Sequence, residues 1–207
     1  GESSAASVGW WAAVFAWAIG GGWALRGGPA GWPKLPAVLR LAVGALALWV
    51  AWWAITQARG LGVNFLLSVL CIVFAADICA YAAGRTWGRH KLAPSISPGK
   101  TWEGVAGGVV GVALLALLWT LVVDARLPVD SKSLFTELRA RGGWLLLALG
   151  VVVLAALSVV GDLFESLVKR AAGAKDSSRL LPGHGGVLDR IDAQLPVLPA
   201  ALAFMSL

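Results

Sequence analysis

Charge is scarce in this chain. Only 14% of its 207 residues are Asp, Glu, Lys or Arg, where an ordinary soluble domain carries about a quarter. Hydrophobic residues make up 58%, and the mean hydropathy of +0.78 excludes a typical water-soluble enzyme. Cysteine is nearly absent. Cys71 and Cys79 share one apolar run, with no second pair and no metal-ligand spacing, so a disulfide framework and a zinc site are both excluded. The two read as small buried hydrophobes. A secretory leader is not expected either, because the first apolar run lacks a basic flank and a small-residue cleavage site.

What is present is apolar sequence in long uncharged runs, and runs of roughly 18 or more such residues read as bilayer-spanning helices. Six segments stand out: Val8–Leu25, Leu41–Thr56, Leu61–Gly84, Val105–Val123, Trp144–Val160 and Gln194–Leu207. The second and last are short for a span, and Pro196 and Pro199 could kink the last. Tryptophans cluster near segment ends as interfacial anchors do, with Trp17 deeper. The expected fold class is therefore all-α: a single polytopic transmembrane helical bundle of about six spans over residues 1–207.

Six crossings would put linkers 26–40, 85–103 and 162–192 on one side, with twelve of the seventeen Lys and Arg residues. The other side holds Arg59, Arg126, Lys132, Arg139 and Arg141. This bias makes the first group cytoplasmic. The net charge of +6 then reflects orientation and contact with anionic headgroups, not nucleic-acid binding. Gly104, Gly108 and Gly111 recur at helical spacing, a face that lets two helices approach closely in lipid.

The unusual polar chemistry lies in two stretches of that basic side. The first begins with Asp77 inside the third span, followed by Tyr81, Arg85, Arg89, His90 and Lys91. An ionisable residue in a span is a functional-site candidate, although capping by Arg85 or Lys91 would also account for it. Then comes Ser97-Pro98-Gly99-Lys100-Thr101-Trp102-Glu103-Gly104. Its Gly-Lys-Thr is not a nucleotide-binding P-loop, because the required earlier glycine is Pro94 and no strand is expected before it. A Ser/Gly-rich turn with Lys100, opening a helix, can still hold a phosphate; the alternative is a helix cap by Ser97 or Thr101.

The second stretch, residues 162–192, packs five acids and five Lys/Arg into 31 residues. Asp162, Glu165 and Lys169 line one face of a helix continuing out of the fifth span. Asp189 and Asp192, three apart, can share another helix face. Converging carboxylates at a membrane surface suit Mg²⁺, which takes one or two of them plus substrate phosphates. The glycines around His184 let backbone approach a ligand.

Ser166, Lys169-Arg170, Lys175-Asp176, Pro182, His184-Gly185-Gly186 and Asp189-Arg190-x-Asp192 together resemble the signature of the phosphatidate cytidylyltransferases (CDP-diacylglycerol synthases). The stretch from Gly88 to Gly104 resembles that family's other polar loop. The two matches span about 120 residues; the first 60 residues carry only hydropathy. The chain opens with Gly1 and is shorter than is typical of the family, which implies missing N-terminal helices. The resemblance implies attack by a phosphatidic acid oxygen on the α-phosphorus of CTP, with pyrophosphate leaving. It implies Mg²⁺, with room for a second metal ion, held by Asp162, Asp189 and Asp192, and Asp176 as a weaker candidate. Lys169, Arg170, Lys175 and Arg190 would neutralise phosphates, His184 would touch a phosphate or the leaving group, and Ser97, Lys100 and Thr101 would line the substrate pocket. The partners implied are CTP, phosphatidic acid, membrane lipids and a second copy in a homodimer. The location implied is the bacterial inner membrane with a cytoplasmic-side site.

Two other classes compete. A CTP-dependent polyprenol or phytol kinase would share carboxylates and polar loops but release CDP. A transporter would explain Asp77 and the glycines but not ten charges in one loop. A CDP-alcohol phosphotransferase is disfavoured because its Asp-Gly and Ala-Arg pattern is absent.

Overall fold

The computed structural model describes residues 2–178, 180 and 186–207, with side chains from residue 6 onward. The expected all-α membrane bundle is what forms. Helices α1 (Glu2–Phe15) and α2 (Gly22–Gly31) are joined by a π-helical turn, Ala16–Gly21, and followed by a 3₁₀ turn, Trp32–Lys34. Next come α3 (Ala37–Leu61) and α4 (Val63–Trp87). A two-stranded antiparallel hairpin, β1 (Lys91–Ala93) and β2 (Ser97–Thr101), leads directly into α5 (Trp102–Leu118). Another π-helical turn, Trp119–Val123, and the short α6 (Asp124–Arg126) precede the long α7 (Leu134–Ala171). The chain closes with α8 (Leu188–Ile191) and α9 (Gln194–Met205).

Among the described residues, five helical stretches are long and apolar enough to cross a bilayer: Ala6–Lys34, Ala37–Leu61, Val63–Trp87, Trp102–Arg126 and Leu134–Ala171. At 1.5 Å per residue a 25-residue helix is about 37 Å long, enough for a hydrocarbon core of about 30 Å. The sixth expected segment behaves differently. It forms α9, 12 residues long and so only about 18 Å. Every residue from Gln194 to Phe204 is buried, packed among α1, α3, α4 and α7. Its apolar residues answer to protein, not lipid.

Turns at the two ends sort as the alternation of spans requires. At one end, Gly62 joins α3 to α4 in a single residue with φ 135°, and the Val63 and Asn64 N–H groups donate to Asp130 at 2.6 and 2.9 Å. Asp130 thus caps α4 from the next inter-span loop, and those backbone N–H groups hold its carboxyl below the usual range. A side chain at Gly62 would collide with Ser131. Asn64 extends the same network, donating to Asp124 at 2.8 Å and accepting from Trp119 at 2.9 Å. At the opposite end Ala24, Trp32, Ile96, Leu163 and Leu167 form a small core that joins the 3₁₀ turn, the hairpin and the C-terminal part of α7. Described residues of the three basic linkers therefore meet in this small core.

Two local devices shape the region that matters. Gly142 and Gly143 break α7, the latter at φ 64°, separating a foot that carries buried Leu134, Phe135 and Leu138 from a straight run that extends past Val160 to Ala171. The expected helix beyond the fifth span is this run. The glycine face of α5 packs on α4 at backbone distance. A Cβ at Gly104 or Gly108 would lie 3.0 or 3.1 Å from the carbonyl oxygens of Ala80 and Ala76, and half-buried Cys79 lies against Gly111. Gly107 is tightest, since its added Cβ would fall 2.3 Å from the Ala83 Cβ. Neither atom can swing away, so Gly107→Ala must push the helices apart. We expect a loss of about 1–3 kcal/mol, read as a lowered Tm in detergent. Gly9→Ala, where the new carbon meets no heavy atom within 4 Å, should be neutral or slightly stabilising through helix propensity.

Candidate active site

A cavity of about 420 Å³ opens at the basic end between α4, α5, α7 and the hairpin. Its polar lining includes Asp77, Arg85, Ser97, Lys100, Thr101, Ser158 and Asp162. The sequence supplies these from three remote stretches. Asp77 and Arg85 come from the last turns of α4, where Arg85 donates to the Tyr81 hydroxyl at 2.8 Å. Ser97 to Thr101 is a strand, not the turn that its Ser, Pro and Gly suggested; the turn falls at residues 94–96. The strand ends where Thr101 caps α5, its hydroxyl accepting from the Gly104 N–H at 3.1 Å, so that hydroxyl is committed to the helix. Glu103 ties the far strand down, accepting from the His90 ring nitrogen at 2.6 Å.

Pairing across the strands points Lys100 at α7, where it forms an ion pair with Asp162. Both side chains are about one quarter exposed (25% and 27%). Asp162 also accepts from Ser166 at 3.4 Å, one turn on. Arg170, two turns past Asp162, reaches back to the Ile96 carbonyl at 3.4 Å. Residues of the two polar stretches thus come together at one end of the bundle.

One turn further along α7 is a second cluster. Lys169 lies 2.5 Å from Glu165 and 2.6 Å from Asp189. Asp189 also accepts from the Gly186 N–H at 2.6 Å and from the Ser177 N–H at 3.1 Å. Burial alone would raise the Asp189 carboxyl, but the Lys169 ammonium and the Gly186 and Ser177 N–H groups outweigh it and hold it well below the usual range. Glu165 was read as a face residue and not counted among the site residues. Its buried carboxylate is one of the two counterions of Lys169, and its i, i+4 spacing to that lysine was the available signal.

The backbone stays helical through Asp192, whose N–H donates to the Leu188 carbonyl at 3.0 Å, so Asp189 and Asp192 remain one turn apart, yet their carboxyls go to different partners. Among the described residues Asp192 accepts from the adjacent Ala193 N–H, at 2.7 Å. Burial pushes its carboxyl up to about 7, the negative charges of Asp162 and Asp77 add to this, and the Ala193 N–H and Lys100 oppose it. Arg190 is exposed on α8, and Lys175 and Asp176 are exposed in the loop after α7. His184 lies outside the described residues.

Among the described residues no three His, Cys, Asp or Glu side chains converge closely enough to enclose a metal ion. The donor set nevertheless suits a hard cation that keeps its waters. Asp77, Asp162 and Asp192 face one another electrostatically with Lys100 as the cation among them, and Mg²⁺ needs only one or two protein carboxylates.

A bundle of membrane-length helices with a charged cavity at one end defines a polytopic membrane protein with a polar chamber. The sequence matches the Cytidylyltransferase family over residues 4–207, and the chain belongs to that family. Relatives include phosphatidate cytidylyltransferases of Haemophilus influenzae, 46% identical over 70% of this chain and 45% of that protein, and of Pseudomonas aeruginosa, 38% identical over 80% and 57%. A third, from Staphylococcus epidermidis, is 42% identical over 69% and 49%. The chain spans about half the length of these curated relatives.

The raised Asp192 carboxyl sets a pH signature. The protonated form is favoured in the folded state relative to the ordinary value of 3.8. Stability from this group is therefore fully present below about pH 4 and lost as pH rises through about 7. In metal-free detergent, Asp192→Asn should gain on the parent protein in Tm between pH 5 and pH 8. A constant difference between the two would show that Asp192 is not desolvated.

Proposed function

We propose that this chain carries the chemistry of a phosphatidate cytidylyltransferase. A phosphate oxygen of phosphatidic acid attacks the α-phosphorus of CTP, the bond to the β-phosphate bridging oxygen breaks, and CDP-diacylglycerol and pyrophosphate result. The observation that carries the reading is the meeting of Lys100 with Asp162 in a chamber at the end of a membrane bundle. Membership of the Cytidylyltransferase family and the names of its relatives point the same way. The nucleophile is already an anion, so no Ser, Cys or His nucleophile is needed. The obstacle is repulsion between two polyanions, and catalysis rests on positioning and neutralisation.

The residues divide this work. Lys100, released from Asp162 by an arriving phosphate, offers a compact ammonium at the junction of the substrates. Ser97 adds a hydroxyl from the same strand. Arg170, which reaches the hairpin at the Ile96 carbonyl, and exposed Arg190 would offer charge to the phosphates. Lys169, clamped by Glu165 and Asp189, fixes the loop that carries Asp192. Asp162 and Asp192 would hold Mg²⁺, which when bound supplies charge neutralisation for the triphosphate. Asp189 joins that set only by leaving Lys169. We read the basic end as cytoplasmic, from the twelve-to-five distribution of Lys and Arg, which gives the chamber access to CTP and to lipid of the inner leaflet.

Pyrophosphate release from CTP with phosphatidic acid tests the reading directly; release of CDP in its place would move the chain to the lipid kinases. Asp162→Asn should abolish turnover. Lys100→Met keeps the aliphatic stem and deletes one charge-assisted contact worth about 1.5–3 kcal/mol, or roughly ten- to a few hundred-fold in kcat/KM. A loss of less than about threefold, the scale of a weak exposed ion pair, would make the hairpin a scaffold.

Metal binding has its own readout. Because Asp192 must ionise to bind a cation, Mg²⁺ affinity should rise as pH climbs toward 7. Calorimetry in buffers of different ionisation enthalpy at pH 6.5 should detect proton release that Asp192→Asn abolishes. Binding without proton uptake or release would remove Asp192 from the metal site.

A further inference from the structure

Behind α7 lies a second cavity, of about 360 Å³, whose walls include Trp32, Arg40, Leu41, Gly44, Phe164 and Val168. It is separate from the active-site chamber. Asp162 faces that chamber, and Phe164, two residues on, points roughly 200° away around the helix. One helix thus divides a charged chamber from an apolar one at the same height. Trp32 closes the apolar side, its ring 5.1 Å edge-on from Phe164. Arg40 is the one charged residue among the described lining. Its Nε is shut off from the surface and has no hydrogen-bond partner among the described residues. An unmatched guanidinium N–H in the first turn of a spanning helix is costly. Around it Val38, Leu39 and Leu41 of the spanning helix α3 are exposed, so apolar surface flanks the cavity.

We propose that this cavity binds a glycerophospholipid with an anionic headgroup, its phosphate on Arg40 and an acyl chain along Leu41, Gly44 and Phe164. The guanidinium supplies the charge complement, and basic pockets between membrane helices are suited to such headgroups. The volume falls in the range of ordinary ligand pockets. A free phosphate would meet Arg40 alone, whereas a lipid also fills the apolar walls. A lipid here braces α7 from the face opposite Asp162. The site stands independently of the reaction assigned above, and its probe is not that reaction's lipid substrate.

The test titrates the detergent-purified chain with phosphatidylglycerol, phosphatidylethanolamine or inorganic phosphate, reading bound lipid by native mass spectrometry and stability by Tm. Phosphatidylglycerol should be retained and raise Tm, phosphatidylethanolamine should bind about tenfold or more weakly, and inorganic phosphate should do neither. Arg40→Leu should erase the preference. Gly44→Phe should block binding while keeping the fold, because a Cβ at Gly44 meets no heavy atom within 4 Å. Lys34→Leu, an exposed charge on the neighbouring turn, should bind as the parent does. The proposal is overturned by equal retention of both lipids, by unchanged phosphatidylglycerol binding in Arg40→Leu or Gly44→Phe, or by an equal loss in Lys34→Leu. It is also overturned if phosphate alone reproduces the Tm shift, or if the parent self-associates and Gly44→Phe abolishes that, which would give the cavity to a second copy.

Discussion

Lys100 and Asp162 meet in a part of the bundle where neither is well solvated, and 62 residues of chain separate them. In hydrocarbon an unpaired charge is costly, so polar groups must be matched from within the protein. That demand recruits the hairpin. Its strands are short, but they aim one lysine at one aspartate, and Thr101 and Glu103 fasten the hairpin to the start of α5. The glycine face of α5 against α4 then lets Asp77 share the same chamber. Removing either partner strands the other's charge, so the pair couples the geometry of the site to the packing of the helices.

Two electrostatic regimes sit side by side along α7. Around Asp162 and Asp192 negative charge is in excess and partly buried, a condition that favours proton or cation uptake. One turn further, Lys169 is saturated by two carboxylates, and backbone N–H groups complete the satisfaction of Asp189. The first region is electrostatically unfinished and suited to a ligand. In the second, Lys169 ties Asp189 to α7, a cross-link suited to holding a loop. This division explains why residues of one signature, Asp189 and Asp192, have different environments although three positions separate them.

Much of this was legible in the chain. Uncharged runs mark membrane helices because lipid tolerates little else, and the lone Asp77 and the dense 162–192 stretch marked the site because desolvation makes such residues costly. The hairpin was not legible: Pro94, Pro98 and Gly99 are turn chemistry, and strands of three and five residues show no usable alternation. Hydropathy also could not distinguish α9 from a span, because an apolar residue scores the same whether it faces lipid or protein. Asp189 and Asp192 differ because Lys169 and the Gly186 N–H reach only the first, contacts that the three-residue spacing does not encode. Glu165 carried a signal, its spacing to Lys169, but nothing in that spacing separates a counterion within a site from an ordinary helix pair.

The burial of α9 has a consequence for biogenesis. Most of its neighbours come earlier in the chain, in α1, α3, α4 and α7, and their tertiary contacts with it span the largest sequence separations, such as the Gln194 side chain donating to the Leu70 carbonyl 124 residues away. Long-range contacts of this kind form late, after the loop-closure entropy has been overcome. Asp192 sits at the threshold of α9 and acquires its burial only when that helix docks. A chain halted before this step would hold its membrane helices and its lysine hairpin yet lack the third negative charge near the chamber. The buried environment of Asp192 therefore arises through long-range contacts, when α9 docks among the helices that precede it.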